Sequence, residues 1–214
     1  RPGPIPIPLI RLARALVRLE SDLSALGLRW AAIGGLAVAA RAEPRTTRDL
    51  DVAIAVAGDR EAEKIILALR GRGYREASTR AVMEQKDVGR LATVRFLVPE
   101  GEAAEDEEDG LIVDLMFASS GVEPEIVAAS ERMMVMQELV VPIVRAGHLF
   151  ALKVLAGRPK DLQDCQFLWR RMGPEDLQEA RETLELIKQR GFHRGKDLEA
   201  ELARALELAS GPDL

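Results

Sequence analysis

Two aspartates separated by one apolar residue, Asp49-Leu50-Asp51, follow the glycine pair Gly34-Gly35 after thirteen intervening residues. Leu50 to Val56 alternates and is rich in β-branched residues, the pattern of a strand. Residues two apart on a strand point to the same face, so both carboxylates can grip the same cations while Leu50 turns into the core. A third acid, Asp114, stands alone in the apolar run Leu111 to Phe117. A charge there is costly unless it is bound to metal or paired, with Arg95 or Arg48 as candidate partners. Three carboxylates from two neighbouring strands form an oxygen-rich site suited to Mg²⁺. Two such ions about 3.5 to 4 Å apart can activate an attacking hydroxyl and neutralise a leaving pyrophosphate. Gly34 and Gly35 would let backbone amides approach a triphosphate at a helix start. Taken singly, these features read as a surface pair, a turn and a salt bridge; in this order and spacing they favour a catalytic site. Arg45 and Arg48 flank the pair, as phosphate contacts or as plain surface arginines.

The elements that must position these groups are legible from periodicity. Leu12, Leu16, Leu19, Leu23 and Leu26 recur at helical spacing within Leu9 to Leu26, and Gly27 ends that helix. Trp30 to Ile33 reads as a strand, followed by the glycine turn and a helix over Leu36 to Ala42. Arg60 to Arg72 resumes helical spacing, and Ala92 to Val98 and Leu111 to Phe117 read as strands. A short helix is expected over Val122 to Ser130, and a strand pair or an extended arm over Met133 to Val144. From Ala146 onward, leucines at helical spacing, broken at Gly157-Arg158-Pro159, Gly173-Pro174 and Gly191 to Gly195, predict four helices. The fold class is therefore α+β, a mixed sheet with flanking helices followed by a helical bundle. The expected division is a core over 1–145 and a helical domain over 146–214. No internal repeat of the solenoid kind is present.

Composition narrows the chemistry. The 214 residues, 47% hydrophobic, suffice for one large domain or two small ones. A net charge of −5 with one Tyr, two Trp and five Phe argues against a dedicated nucleic-acid module built on basic patches and stacking. Glu100 to Gly110 carries seven acidic residues and reads as a solvated loop or insert. The single Cys165 excludes an internal disulfide and reads as a core residue, and no disulfide-linked partner is expected. No apolar run approaches the roughly 20 residues of a membrane helix, and Arg1 to Pro8 reads as a Pro-rich extended lead-in, so the expected setting is the cytoplasm. His148 and His193 lack partners at metal-ligand spacing and are expected to be structural.

Ile33-Gly34-Gly35-Leu36-Ala37 through Arg45-Thr46-Thr47-Arg48-Asp49-Leu50-Asp51 resembles the first motif of the polymerase-beta nucleotidyltransferase superfamily. More narrowly it looks like the AbiEii/AbiGii-type toxin nucleotidyltransferases, and the resemblance covers roughly Leu26 to Leu168. It implies that Asp114 is the superfamily's third carboxylate. Leu149 to Asp164 is similar to a helical motif of that subgroup in which a Lys contacts phosphate and a downstream Asp supports the site. On that basis Lys153 and Asp161 inherit nucleotide-site roles. From the residues alone, Lys153 is equally a snorkelling lysine, and Asp161 and Asp164 are equally acids placed in the first turn of a helix.

The resemblance implies transfer of a nucleoside monophosphate from an NTP to a hydroxyl, with two Mg²⁺ held by Asp49, Asp51 and Asp114. Gly34, Gly35, Arg48, Lys153 and Asp161 would attend the nucleotide. A tRNA end or a protein is the expected acceptor, with an antitoxin as partner. Two alternatives stay open: a non-catalytic nucleotide- or partner-binding module of a toxin-antitoxin pair, and a transferase acting on a small molecule such as an aminoglycoside.

Overall fold

A computed structural model describes residues 7–43, 47, 49–77, 82–85, 90–99, 111–136 and 138–211. Arg45, Arg48 and the acidic stretch 100–110 lie outside the described residues.

Helix α1 (Ile7–Ala25) opens the described chain. The expected extended lead-in gives way to helix at Ile7, and Pro8 falls in the first turn, where its missing amide has no helical partner to lose. There follow β1 (Trp30–Ile33), α2 (Gly34–Arg41), β2 (Asp49–Ile54) and α3 (Asp59–Arg70). Two short strands that periodicity did not reveal, β3 (Arg75–Glu76) and β4 (Val82–Gln85), precede β5 (Arg90–Leu97) and β6 (Ile112–Met116). Then come α4 (Glu123–Ala128) and the hairpin β7 (Glu131–Met136) and β8 (Leu139–Ile143). The four C-terminal helices are α5 (Ala146–Ala156), α6 (Pro159–Trp169), α7 (Pro174–Gln189) and α8 (Leu198–Ser210). No helix among the described residues is long and apolar enough to cross a membrane.

The strands form one mixed sheet in the order β3-β5-β6-β2-β1-β8-β7, with β4 also paired to β5. At its centre β2 runs antiparallel to β1 and parallel to β6, and the register sets Asp51 opposite both Ile33 and Asp114. Strand alternation then divides the sheet chemically. Leu50, Val52, Ile54, Val113, Leu115, Val94 and Phe96 are buried at 0–1% exposure, and the alternate residues carry the polar groups.

The apolar side is organised around Phe96, whose ring meets Tyr74 edge-on at 6.1 Å. Tyr74 follows α3 and donates its hydroxyl proton to Asp22 of α1 at 3.1 Å. Asp22 also accepts from Arg18 at 2.6 Å and stands 3.4 Å from Arg72, so its burial is offset by two cations and a phenol. One continuous apolar cluster runs from Leu12 in α1 through the sheet to Ala205 in α8.

Candidate active site

The polar side of the sheet floors a cleft of about 530 Å³. Asp51 and Ala53 of β2, Asp114 and Met116 of β6, and Thr93 and Arg95 of β5 form the floor. Lys153 of α5, Asp161 of α6, Arg158 between those helices and Arg194 between α7 and α8 contribute the opposite wall.

Gly34 begins α2 immediately after β1, with φ of +62°. Only glycine adopts that backbone without strain, and a Cβ at this position would overlap the Asp51 carboxylate. The next amide, that of Gly35, donates to the same carboxylate. Read from sequence, the glycine pair looks like a triphosphate cradle; in the structure its first role is to seat Asp51, although Gly34 also faces the cleft. Burial pushes the Asp51 pKa above the ordinary carboxylate value, and the charges of Asp114 and Asp49 push it the same way, against Lys153 and the Gly35 amide. Such a concentrated negative centre favours a cation.

Asp49 lies exposed at the start of β2, two residues from Asp51 on the same face. Asp114 is held differently. Arg95 grips it through both oxygens, Nε to Oδ1 and Nη2 to Oδ2, each at 2.7 Å. This cross-strand pair, set by the antiparallel register of β5 and β6, is the ion pair that an acid in an apolar strand calls for. Among the described residues, no group of three or more His, Cys, Asp or Glu is gathered closely enough to hold a metal ion. Asp49 and Asp51 are oxygen donors of the hard kind that Mg²⁺ takes, whereas both oxygens of Asp114 are engaged by Arg95.

Lys153 is buried, with Nζ 3.1 Å from Asp161 Oδ1 and 2.8 Å from Asp164 Oδ2. Asp161 also accepts from Arg158, whose Nε is 2.6 Å from Oδ2 and whose backbone N–H closes the first turn of α6. Burial alone would raise the Asp161 pKa, but Arg158 and Lys153 outweigh it and hold it below the ordinary range. Two cations thus meet two carboxylates, and Lys153 is fixed in a set position facing Asp51 across the cleft. The first-turn reading of Asp161 is correct and incomplete: the side chain caps α6 and anchors Lys153 together.

Asp51, Asp114, Gly34, Lys153 and Asp161 therefore share one cleft, whereas Asp49 and Gly35 are not among the residues that line it. Arg158, Arg194, Ser119 and Glu123 also line it, and sequence reasoning assigned them no role. Arg158 and Arg194 sit among glycines and prolines that read as punctuation, so only the chain fold brings them to the site. Cys165 is buried in α6, and burial pushes its thiol up to about 12, which leaves no thiolate for nucleophilic chemistry. His148 lies outside the cleft, 3.8 Å from Glu179.

A family profile described as nucleotidyl transferase AbiEii toxin, Type IV TA system, matches residues 14–212. No curated protein matches the sequence. Among solved structures, the chain is similar to an antigenic nucleotidyltransferase-like protein from Paracoccidioides brasiliensis, at 12% identity, TM-score 0.49, and coverage of 96% of this chain and 90% of that one. It is similar to JHP933 from Helicobacter pylori at 16% identity, TM-score 0.49, with 97% and 90% covered. It is also similar to the antibiotic-resistance factor ANT(2'')-Ia at 15% identity, TM-score 0.45, with 92% and 98% covered. The profile spans nearly the whole chain, including the sheet, the cleft and the C-terminal helices, and the chain accordingly belongs to the AbiEii toxin family of nucleotidyltransferases.

Proposed function

We propose that this nucleotidyltransferase moves a nucleoside monophosphate from an NTP to a hydroxyl in the cleft between the sheet and the C-terminal helices, using Mg²⁺ held by Asp49, Asp51 and Asp114. The observation that carries the reading is that one cleft sets Asp51 and Asp114 of the sheet against Lys153 and Arg158 of the C-terminal helices, with Asp114 paired to Arg95 and both cations paired to Asp161. A triphosphate set with its α-phosphorus over the carboxylates would lay its anionic tail along the cations.

Two Mg²⁺ ions in this position would make the acceptor hydroxyl acidic and offset charge on the leaving pyrophosphate. The chain's own residues supply the rest. Gly34 and Gly35 hold Asp51 in one orientation, so its position is set before any ligand arrives. Arg95, about half exposed, has room to leave Asp114, which then joins the other two acids and takes the acceptor proton. Lys153 meets phosphate from a position fixed by Asp161 and Asp164. Arg48, a further phosphate contact in this reading, lies outside the described residues. Residues 1–145 would act as the catalytic core and 146–214 as the helical unit that walls the cleft.

The family's toxin-antitoxin description is the ground for proposing a macromolecular acceptor, a tRNA end or a protein hydroxyl, and an antitoxin partner. The test supplies Mg²⁺ and each α-labelled NTP with total RNA, with protein and with an aminoglycoside. Label in RNA or protein, matched by pyrophosphate release, supports the proposal. Label in the aminoglycoside alone overturns the macromolecular acceptor, and absence of pyrophosphate release with every acceptor overturns the reaction.

A further inference from the structure

Past the carboxylates, the cleft continues along the sheet. β2 and β6 run parallel, with Asp51 opposite Asp114 and, two residues on, Ala53 opposite Met116; all four face the cleft. Two residues of strand advance its floor by roughly 7 Å, about the span of a sugar between a phosphate and a base. There β6 ends, and the chain turns through Ser119 and Ser120 to Glu123, the first residue of α4. Glu123 lines the cleft, and so does Ile126, three residues on and on the same face of α4. Leu149 and Leu152, spaced alike on α5, give the cleft a second apolar face.

Glu123 is 2% exposed. Its Oε1 accepts from the amide and the hydroxyl of Ser120, at 2.7 and 2.9 Å, which braces the turn into α4. That turn accounts for one oxygen only. Oε2 is buried and has no hydrogen-bond partner among the described residues. Arg194, on the same cleft, does not supply one, since its Nη2 donates to the carbonyl and hydroxyl oxygens of Ser119. A carboxylate oxygen taken out of water without a donor is costly, and a ligand that brings the donor offsets the cost.

The donor has to come on a group that suits Ile126, Leu149 and Leu152. A nucleobase with an exocyclic amine has that form, with apolar faces and an N–H at its edge. A cleft of about 530 Å³ has room for one nucleotide. We infer that Glu123 reads the base of the NTP: Oε2 accepts from the amine of adenine or cytosine and disfavours the carbonyl that hypoxanthine or uracil carries at the same position. This specificity rests on the proposed transfer reaction for the presence of an NTP, whereas the affinity of each NTP can be measured without any transfer.

The experiment measures equilibrium binding of ATP, ITP, CTP and UTP, with Mg²⁺ and no acceptor, to wild type and to Glu123→Gln. In the variant the Ser120 amide still requires an oxygen, so the side-chain NH₂ takes the place of Oε2, and an acceptor becomes a donor without change of shape. Wild type should bind ATP over ITP and CTP over UTP by about tenfold, and Glu123→Gln should lose or reverse both preferences. Purine riboside triphosphate, which is ATP without its amine, should bind wild type about tenfold more weakly than ATP, a comparison that needs no variant. Deoxy-ATP should match ATP. Equal wild-type affinity within each pair overturns the inference, as do preferences that survive in a folded Glu123→Gln, or a loss with deoxy-ATP as large as that with purine riboside triphosphate. Discrimination confined to the 3′-terminal base of an RNA, with all NTPs alike, overturns the assignment to the NTP. If the preferences appear and reverse but no acceptor is ever labelled, base reading stands and the transfer reading fails.

Discussion

The backbone of Gly34 lies against the carboxylate of Asp51 so closely that no side chain fits between them. The glycine that opens α2 and the acid on the neighbouring strand are one structural unit, joined further by the Gly35 amide.

Gly34→Ala should therefore harm the protein twice. A left-handed alanine and the overlap with Asp51 together cost roughly 2–4 kcal/mol of stability, and the displaced carboxylate loses its place in the site. Urea denaturation and nucleotide transfer read the two effects. Gly58→Ala is the control, since a Cβ there meets nothing within 4 Å and its φ of 175° is extended; it should change neither.

How this unit was visible in sequence, and how far, follows from the range of the forces involved. Asp49 and Asp51 are legible because strand alternation is local, and Leu50 confirms it by being buried. Asp114 is legible as a charge out of place, and its partner Arg95 was one of two arginines the sequence offered. The helices were readable from leucines at three-to-four spacing. The strands β3 and β4 were not, because two or four residues are too few to show a period. Arg158 lies between Lys153 and Asp161 but reads as part of the Gly157-Arg158-Pro159 break, whereas nothing near Arg194 in the chain marks a function; both reach the cleft through the packing of α5 to α8. Asp164 falls between these cases. Its spacing of three from Asp161 puts both acids on one helical face, a signal that a buried cation was waiting, and Lys153 is that cation.

The Arg95–Asp114 pair should compete with metal. Arg95→Leu removes both hydrogen bonds to a buried carboxylate, and in chelator this should destabilise the fold by about 2 kcal/mol, tempered by the half-exposed guanidinium. Mg²⁺ or Mn²⁺ should restore part of the loss, and Mn²⁺ followed by electron paramagnetic resonance should bind roughly tenfold more tightly than to wild type. Unchanged Mn²⁺ affinity would show that Asp114 is no ligand.

Removing Lys153 should be costly even without nucleotide. Lys153→Ala leaves Asp164 buried without its cation and Asp161 with Arg158 alone, so a loss of about 3 kcal/mol or more is expected in urea unfolding. The double variant Lys153→Met with Asp164→Asn should recover much of that stability while remaining inactive. Recovery of transfer in the double variant would show that Lys153 serves the fold only.

Burial holds the His148 pKa below its ordinary 6.5; Glu179 opposes this, Arg145 adds to it and Glu125 opposes it. Above that value both folded and unfolded chains carry a neutral imidazole. As pH falls through it, the unfolded chain takes up the proton first, so stability declines until the folded imidazole is protonated too. Urea midpoints measured between about pH 7.5 and 5.5 should fall in the wild-type chain and fall less in His148→Gln. Equal slopes would contradict a neutral buried imidazole.

The central claim is that Asp51 organises nucleotidyl transfer, and the most direct measurement compares wild type with Asp51→Asn. Both would be supplied with Mg²⁺, α-labelled NTP and the pooled acceptors, and their melting curves would confirm that both are folded. Wild type should release pyrophosphate and label an acceptor, and Asp51→Asn should fall by at least about a hundredfold. Transfer by Asp51→Asn at the wild-type rate would contradict the account.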